Sequence, residues 1–397
     1  MTLTVDPAPS LKHRAGFALA VFYSGLMMSS ASIPSPFYHV LQKEMGFADV
    51  TMTGIFAIYA MFLLITLLTA GASSDHVGRR PVLSMGFVLL GLSAFLFNIA
   101  TEPAGLLLAR ALQGVACALL ISTSSATVLD LEPPHRPGLA SVFNSTVPMS
   151  GLALGALLSG FVMENVADAR VAVFDGMALV SLSLAALVWL LPETSPRLPG
   201  FARSLRPTLG IPVEVRRIFW QSASATVAAW ATIGLFLSLG ASITGHFFQI
   251  SNYMLQAGAV TLVAGSGALS CYLAQGRAPR GVVLYGTAGL AVGTVLMLAA
   301  IHGGVGALYV LALACTGSGF GATLFGITMT LVPATPAPKR GALFASVYTL
   351  SYIAFGVPVV IAGLVMKSLG LLTTVTLYGL AIVVLSLIAA SFYLKRR

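Results

Sequence analysis

The sequence predicts an all-α membrane protein whose twelve transmembrane helices form two pseudo-symmetric six-helix bundles. Of its 397 residues, 57% are hydrophobic and only 8% charged, and the mean hydropathy of +0.93 lies far outside what a soluble surface permits. Apolar runs of about 20 residues, enough to cross a ~30 Å hydrocarbon core as a helix, recur from Ala15 to Tyr393. Fragments of one half also reappear in the other near a common offset. Runs this long are helices and not the ~10-residue strands of a barrel, because each span must satisfy its own backbone N–H and C=O groups in hydrocarbon.

Span 1 is expected over 15–37. The "LKHR" before it and the "AGFALAVFYSGLMMSSAS" that follows have the form of a signal peptide, but cleavage would leave eleven spans and spoil the repeat. Spans 2 and 3, 51–72 and 81–100, flank "GASSDHVGRRPVL", which packs Asp75, His76, Arg79 and Arg80 into six positions. Span 4, 104–127, carries Arg110 about two helical turns inside it. Spans 5 and 6 are expected over 139–163 and 171–191. The longest hydrophilic break, Pro192 to Arg217, is rich in Pro and Arg and divides residues 1–191 from 218–397, six spans to six. The second half follows as 218–240, 253–274, 281–301, 304–332, 342–366 and 370–394.

Internal similarity fits a duplicated design. "DHVGRRPVL" lies over "GRAPRGVVL" at a shift of 201, pairing Arg79 with Arg280, and "ASVF" lies over "ASVY" at a shift of 205, pairing Gly151 with Gly356. The halves differ in charge, since Glu214 is the last acidic residue of the chain. Any carboxylate that carries a proton or meets a basic ligand must come from the first half.

Basic residues near span ends are retained on the cytoplasmic side. With the N-terminus inside, Lys12, Arg14, Arg79, Arg80, Arg136, Arg197, Arg203, Arg206, Arg216, Arg217, Arg277, Arg280, Lys339, Arg340, Lys395, Arg396 and Arg397 fall in the cytoplasm. Only Lys43, Arg170 and Lys367 fall outside, and one missed span would scramble this pattern. The net charge of +9 is spread over loops and both ends, which suits anionic lipid headgroups and not nucleic acid. Cys117, Cys271 and Cys315 are scattered and read as buried packing residues. No metal or other cofactor is implied.

Six spans plus six with this loop between spans 2 and 3 resembles the major facilitator superfamily, whose loop signature is a Gly, an Asp four residues on, then Gly and two basic residues. Gly71, Asp75, Gly78, Arg79 and Arg80 fit it. "RALQGVACA" resembles the span 4 motif of the family's drug-exporting antiporters at Arg110, Gln113 and Gly114. "GLALGALLSG" resembles their span 5 motif at Gly151, Gly155 and Gly160, departing at Ala156 and Ser159. "IPSPFYHVL" and "LPET" are weaker likenesses to the same group. The resemblance implies the major facilitator fold and proton-coupled export of a small amphipathic drug or metabolite. Uptake or facilitated diffusion of a sugar or organic acid is the alternative that Ala156 leaves open.

Asp75 is expected beside the start of span 11, near Gly341, where helix N–H groups favour a negative charge by ~0.3–2 kcal/mol. The family pattern implies that Arg79 reaches Asp130, making a latch that holds the outward-open, cytoplasm-closed state. The alternative is an ordinary topogenic basic loop, which explains Arg79 and Arg80 but not Asp75 or the glycines. An arginine in mid-span costs ~2.5–3.5 kcal/mol, so Arg110 with Gln113 is read as a substrate or proton-coupling site or, alternatively, as a structural arginine bonded to carbonyls or to Gln113. Asp175 is expected to be a capping or surface group, and His39 and His246 solvated external residues.

Tyr23, Asn144, Trp220, Gln221 and Tyr348 are cavity candidates with polar tips, for each of which interhelical bonding is the competing reading. Gly114, Gly151, Gly155, Gly160, Gly356 and the "GSGFG" at Gly317 to Gly321 are read as sites of close helix packing. No HExxH, GxSxG or paired carboxylates argue for an enzyme. The expected partners are a small-molecule substrate, preferably neutral or anionic, protons and membrane lipid, but no nucleic acid. The expected state is a monomer in a bacterial inner membrane with both termini cytoplasmic.

Overall fold

The computed structural model describes residues 11–136, 138–207, 209–336 and 339–394. Lys395 to Arg397 and the side chains of Lys12 and Arg14, used above for orientation, lie outside the described residues. The helices are α1 (Leu11–Ser32), α2 (Tyr38–Met45), α3 (Asp49–Ala70), α4 (Ser73–Val77), α5 (Arg79–Ile99), α6 (Pro103–Asp130) and α7 (Leu139–Asn165). They continue as α8 (Ala169–Leu187), α9 (Phe201–Ser204), α10 (Arg216–Phe248), α11 (Tyr253–Leu273), α12 (Pro279–Gly303), α13 (Gly306–Leu331) and α14 (Arg340–Leu394).

At 55 residues, α14 would run about 80 Å, far more than one bilayer crossing needs. Gly370, at φ 75° and ψ 164°, breaks it into two arms, 340–369 and 371–394. With both arms counted, the described residues contain twelve crossings, as the sequence predicts.

Two boundaries differ from expectation. Helix α1 stops at Ser32 and not at 37, because Pro34 and Pro36 lack N–H groups and bias the residues before them away from helix; the chain then turns into the unexpected short α2. Helix α10 runs to Phe248 and not 240, since the apolar sequence continues through "ASITGHFF".

Packing shows the two-fold relation directly. In the first half α1 packs on α7, α3 on α6, and α5 on both α6 and α8. The second half repeats this with α10 on the first arm of α14, α11 on α13, and α12 on both α13 and the second arm of α14. The halves meet where α7 crosses α11 and where α3 crosses α14, two contacts that the same two-fold exchanges. Pro148 and Pro358 lie inside α7 and α14, the symmetry-related helices of this seam.

Small residues set the approach distances. A Cβ at Gly114 would lie 2.9 Å from Leu63 N, so α6 rests on the α3 backbone. Gly151 and Gly155 do the same between α7 and α1, where a Cβ would meet Met28 Cβ at 3.0 Å and Ser29 Cα at 2.7 Å. Gly160 faces α11 across the seam, 2.9 Å from Tyr253 O. Gly356 corrects the sequence reading, because Ala60 Cβ at 3.5 Å leaves room for a methyl; the tight position on α14 is Gly363, against Thr53. Leu154, Leu179, Leu311 and Leu364 project outward, as residues facing lipid do.

Candidate functional site

The end of the bundle that carries Gly71–Gly78 and Pro192–Val215 is called here the linker face. On it, Arg79 is 6% exposed and holds three groups together. Its Nη1 donates to Asp75 Oδ1 at 2.6 Å and to Ser74 Oγ at 2.7 Å, and its Nε donates to Asp130 Oδ2 at 3.1 Å. These bonds tie α4 and α5 to the end of α6. The expected docking of Asp75 at the start of α14 is not formed in this structure. Arg79 takes the Asp75 carboxylate, and a Cβ at Gly341 would meet no described atom within 4 Å.

The segment after α8 completes the cluster, a role not legible in "LPET". Glu193 accepts from the first N–H groups of α5, Arg79 N at 2.8 Å and Arg80 N at 3.2 Å, and from Ser195 N at 3.1 Å. Thr194 Oγ1 donates to Asp130 at 2.8 Å and Ser195 Oγ to Ser74 O at 2.7 Å. Gly78 sits at φ 124°, where a Cβ would also meet Glu193 Oε2 at 2.8 Å, so both conformation and space select glycine.

Burial would raise the Glu193 carboxyl, but the N–H donors of Arg79, Ser195 and Arg80 and the charge of Arg197 outweigh it and hold its pKa below the ordinary glutamate value. A depressed folded pKa means the stabilisation is complete above the ordinary value and is lost as pH falls through the folded one. Glu193→Gln is therefore expected to lower the melting temperature by about 1–3 °C at pH 7. The gap to the parent should close on acidification, and thermal unfolding in detergent at several pH values checks both statements.

Arg110 lies inside the first half and not on the seam. It is 1% exposed, and its guanidinium carbon sits 5.2 Å from the ring centroids of Tyr38 and Tyr59 and 5.7 Å from that of Phe97. It donates to the Tyr38 hydroxyl, to Gln113 Oε1 and, at 3.4 Å, to Ala31 O. Gln113 Nε2 in turn donates to Ser30 O at 2.8 Å. No described carboxylate bonds to Arg110; carbonyl, amide, hydroxyl and aromatic faces replace a counter-ion. In this conformation it braces α6 against α1, α2, α3 and α5.

The seam itself is lined differently. An aromatic group joins the halves. Phe56 of α3 lies 4.7 Å from Phe355 of α14, and Trp230 of α10 lies 5.2 Å from Tyr352 and 5.8 Å from Phe355. Tyr348 continues the α14 face, 6.4 Å from Tyr352 and 6.2 Å from Phe344. Of these only Tyr348 was singled out in the sequence, although Phe344, Tyr348, Tyr352 and Phe355 recur at helical spacing. Trp220 stands at the linker end of a partly exposed α10 stripe that continues through Ala223 and Val227 to Trp230, with Gln221 half-buried beside it. Asn144 is half-buried on α7 and donates to Ser125 O at 3.1 Å. Tyr23 is a correction: it is fully buried against Phe87 of α5, inside the first half and away from the seam.

Residues 143–150 of α7 and 344–350 of α14 all remain partly exposed, so the seam opens toward the linker face. The opposite, far face is closed. Ser35 Oγ donates to Leu237 O at 2.5 Å across the halves, Gly160 and Gly363 pack tightly, and Glu164 of α7 accepts from Tyr253 N at the start of α11 at 2.8 Å. Outside this closure a cleft of about 720 Å³ collects His39, Lys43, Glu44 and Asp49 from the first half and His246 from the second. Asp175 is bonded by Asn98 at 2.8 Å between α5 and α8, and every other described carboxylate lies at a helix end or in a loop.

The family model of the Major Facilitator Superfamily matches residues 17–358. The chain is 32% identical over 126 residues to the puromycin resistance protein pur8 of Streptomyces alboniger, which covers 31% of this chain and 25% of that protein. It is 23% identical over 129 residues to the quinolone resistance protein NorA of Staphylococcus aureus, covering 32% of this chain and 33% of that one. These matches thus span about a third or less of either relative. Among solved structures, a bacterial homolog of the human lysosomal transporter Spinster gives a TM-score of 0.75 at 15% identity over 97% of both chains. The human organic anion transporter MFSD10 gives 0.71 at 17% identity over 96% of this chain and 100% of that one. At such identities the structural likeness is one of fold. Two related six-helix halves, a seam open at one face and a family match over most of the length lead to one conclusion: the chain belongs to the Major Facilitator Superfamily of membrane transporters.

Proposed function

We propose that this transporter exports a small amphipathic compound, neutral or anionic, in exchange for protons by alternating access. The observation that carries the reading is the seam, which is lined by aromatic rings, shows no described carboxylate on its open side and is open at one face only. A permanently cationic cargo would find no described counter-ion there, whereas planar apolar surface is met by the partly exposed Trp230 and Tyr348, with Tyr352 buried behind them. Resistance to puromycin and to quinolones in the two relatives favours export of compounds of this size and character. The excess of basic residues on the linker face supports a cytoplasmic placement of that face in a bacterial inner membrane.

On this assignment, cargo enters from the cytoplasm while the far face is shut. Glu164 of α7, which accepts from the first N–H of α11, is one of the contacts that must part for the far face to open. Its release with the other far-face contacts lets the seam open outward, where cargo leaves. Uptake of a sugar or organic acid is the second reading. Ser159, which replaces a glycine of the exporter-like motif, donates to Ile33 O at 2.8 Å and ties α7 to the end of α1.

Inside-out vesicles with an acidic lumen are expected to accumulate a neutral fluorescent amphiphile, and a protonophore should abolish the accumulation. Tyr352→Ala should raise KM about tenfold, the scale of one lost aromatic contact. Saturable transport of a permanently cationic dye would overturn the charge assignment. Accumulation indifferent to the gradient would overturn the coupling, and accumulation confined to right-side-out vesicles would install uptake instead.

A further inference from the structure

A second cavity lies away from the seam, between α11 and α12 with α13 as its floor. It has a volume of about 710 Å³ and opens at the linker face beside Arg277. Along α11 it runs from Ala274 to Ser266, about 12 Å, close to the ~15 Å depth of one bilayer leaflet. Its hydroxyls are already satisfied: Ser266 donates to Leu262 O, Ser270 to Gly267 O, and Tyr285 pairs with Ser318. The groove therefore presents hydrocarbon with its polar groups withdrawn, a wall suited to an acyl chain and not to a polar solute.

Charge at its mouth specifies the head of that chain. The Nε of Arg277 donates to Leu273 O at 3.1 Å, and no described carboxylate bonds to its guanidinium. The sequence holds no Asp or Glu after Glu214, so no acidic residue of the second bundle is there to meet it. Pseudo-symmetry points the same way. In the first half Glu193 accepts from Arg79 N and Arg80 N at the start of α5. The shift of 201 residues carries those positions to Arg280 and Gly281 at the start of α12, where no described side chain accepts from the helix N–H groups. Arg280 Nε instead donates to Tyr393 O at 2.9 Å.

We propose that this groove binds an anionic glycerophospholipid of the linker-face leaflet, with one acyl chain between α11 and α12 and its phosphate beside Arg277 at the start of α12. The phosphate takes the place that the Glu193 carboxylate fills in the first half.

Native mass spectrometry of the full chain with added phosphatidylglycerol or phosphatidylcholine tests this. Wild type should retain phosphatidylglycerol about fivefold over phosphatidylcholine, the ratio expected for one basic residue at a lipid surface. Arg277→Gln should bring the ratio near one. Gly281→Leu should fill the groove and lose both lipids while melting no lower than the parent, because a Cβ at Gly281 meets nothing within 4 Å and leucine favours helix. Wild-type retention of phosphatidylglycerol by either variant overturns the site, since it would mean that general attraction to the basic face explains the binding.

Discussion

Arg110→Ala is expected to lower the melting temperature of the purified protein by roughly 5–15 °C, the consequence of about 3–5 kcal/mol lost from the first bundle. The substitution leaves the Tyr38 hydroxyl, Gln113 Oε1 and Ala31 O without their donor and opens a void among Tyr38, Tyr59 and Phe97. Arg110→Lys should recover only part of this. An ammonium lacks the planar fork that donates to Tyr38 and Gln113 at once while lying among three rings. Transport falls with stability in both variants, through loss of the brace behind α6. A variant that melts like the parent yet transports nothing would return Arg110 to a direct role in coupling.

That expectation shows where the sequence could and could not be read. The cost of an arginine in mid-span is visible in the sequence, so Arg110 stands out as special without a structure. Whether it faces a cavity or closes on its own bundle depends on Tyr38, Tyr59 and Phe97, which come from three other helices. Span count, the central break and the pseudo-repeat are legible because each is a local or periodic property of an apolar chain. The seam is legible only in part. Tyr348 stands out by its polar tip, but Trp230, Phe56 and Phe355 look like ordinary lipid-facing aromatics until α3, α10 and α14 are brought together.

The halves also divide the work of charge unequally. Arg79 is clamped by two carboxylates and a third acid caps its helix, whereas its counterpart Arg280 ends on the last carbonyls of α14. The first bundle thus carries charge pairs around a buried arginine at the linker face. The second uses its basic residue to close a helix C-terminus, a bond with no titratable acceptor. The second half's ion pair at this end, Lys339 with Glu214 of the linker at 2.5 Å, does not involve Arg280, so the switch we propose around Arg79 has no symmetric counterpart.

Asp75→Asn tests that switch, and its expected result is a transport rate lowered more than about tenfold with the melting temperature changed by less than about 3 °C. Stability is spared because the Asp75 side chain is 39% exposed and Arg79 keeps its bonds to Asp130 and Ser74. We propose that the loss arises on closure of the linker face, if the N-terminus of α14 then approaches α4 and needs the charge of a carboxylate. Arg79→Ala provides the contrast. It strips the buried side of Asp75 and Asp130 together, leaving two carboxylates near each other without a cation, and should lower stability as well as rate. Vesicle transport alongside thermal unfolding separates the two variants. If Asp75→Asn transports like the parent, the loop is a topogenic anchor and the closed linker face is held by other contacts.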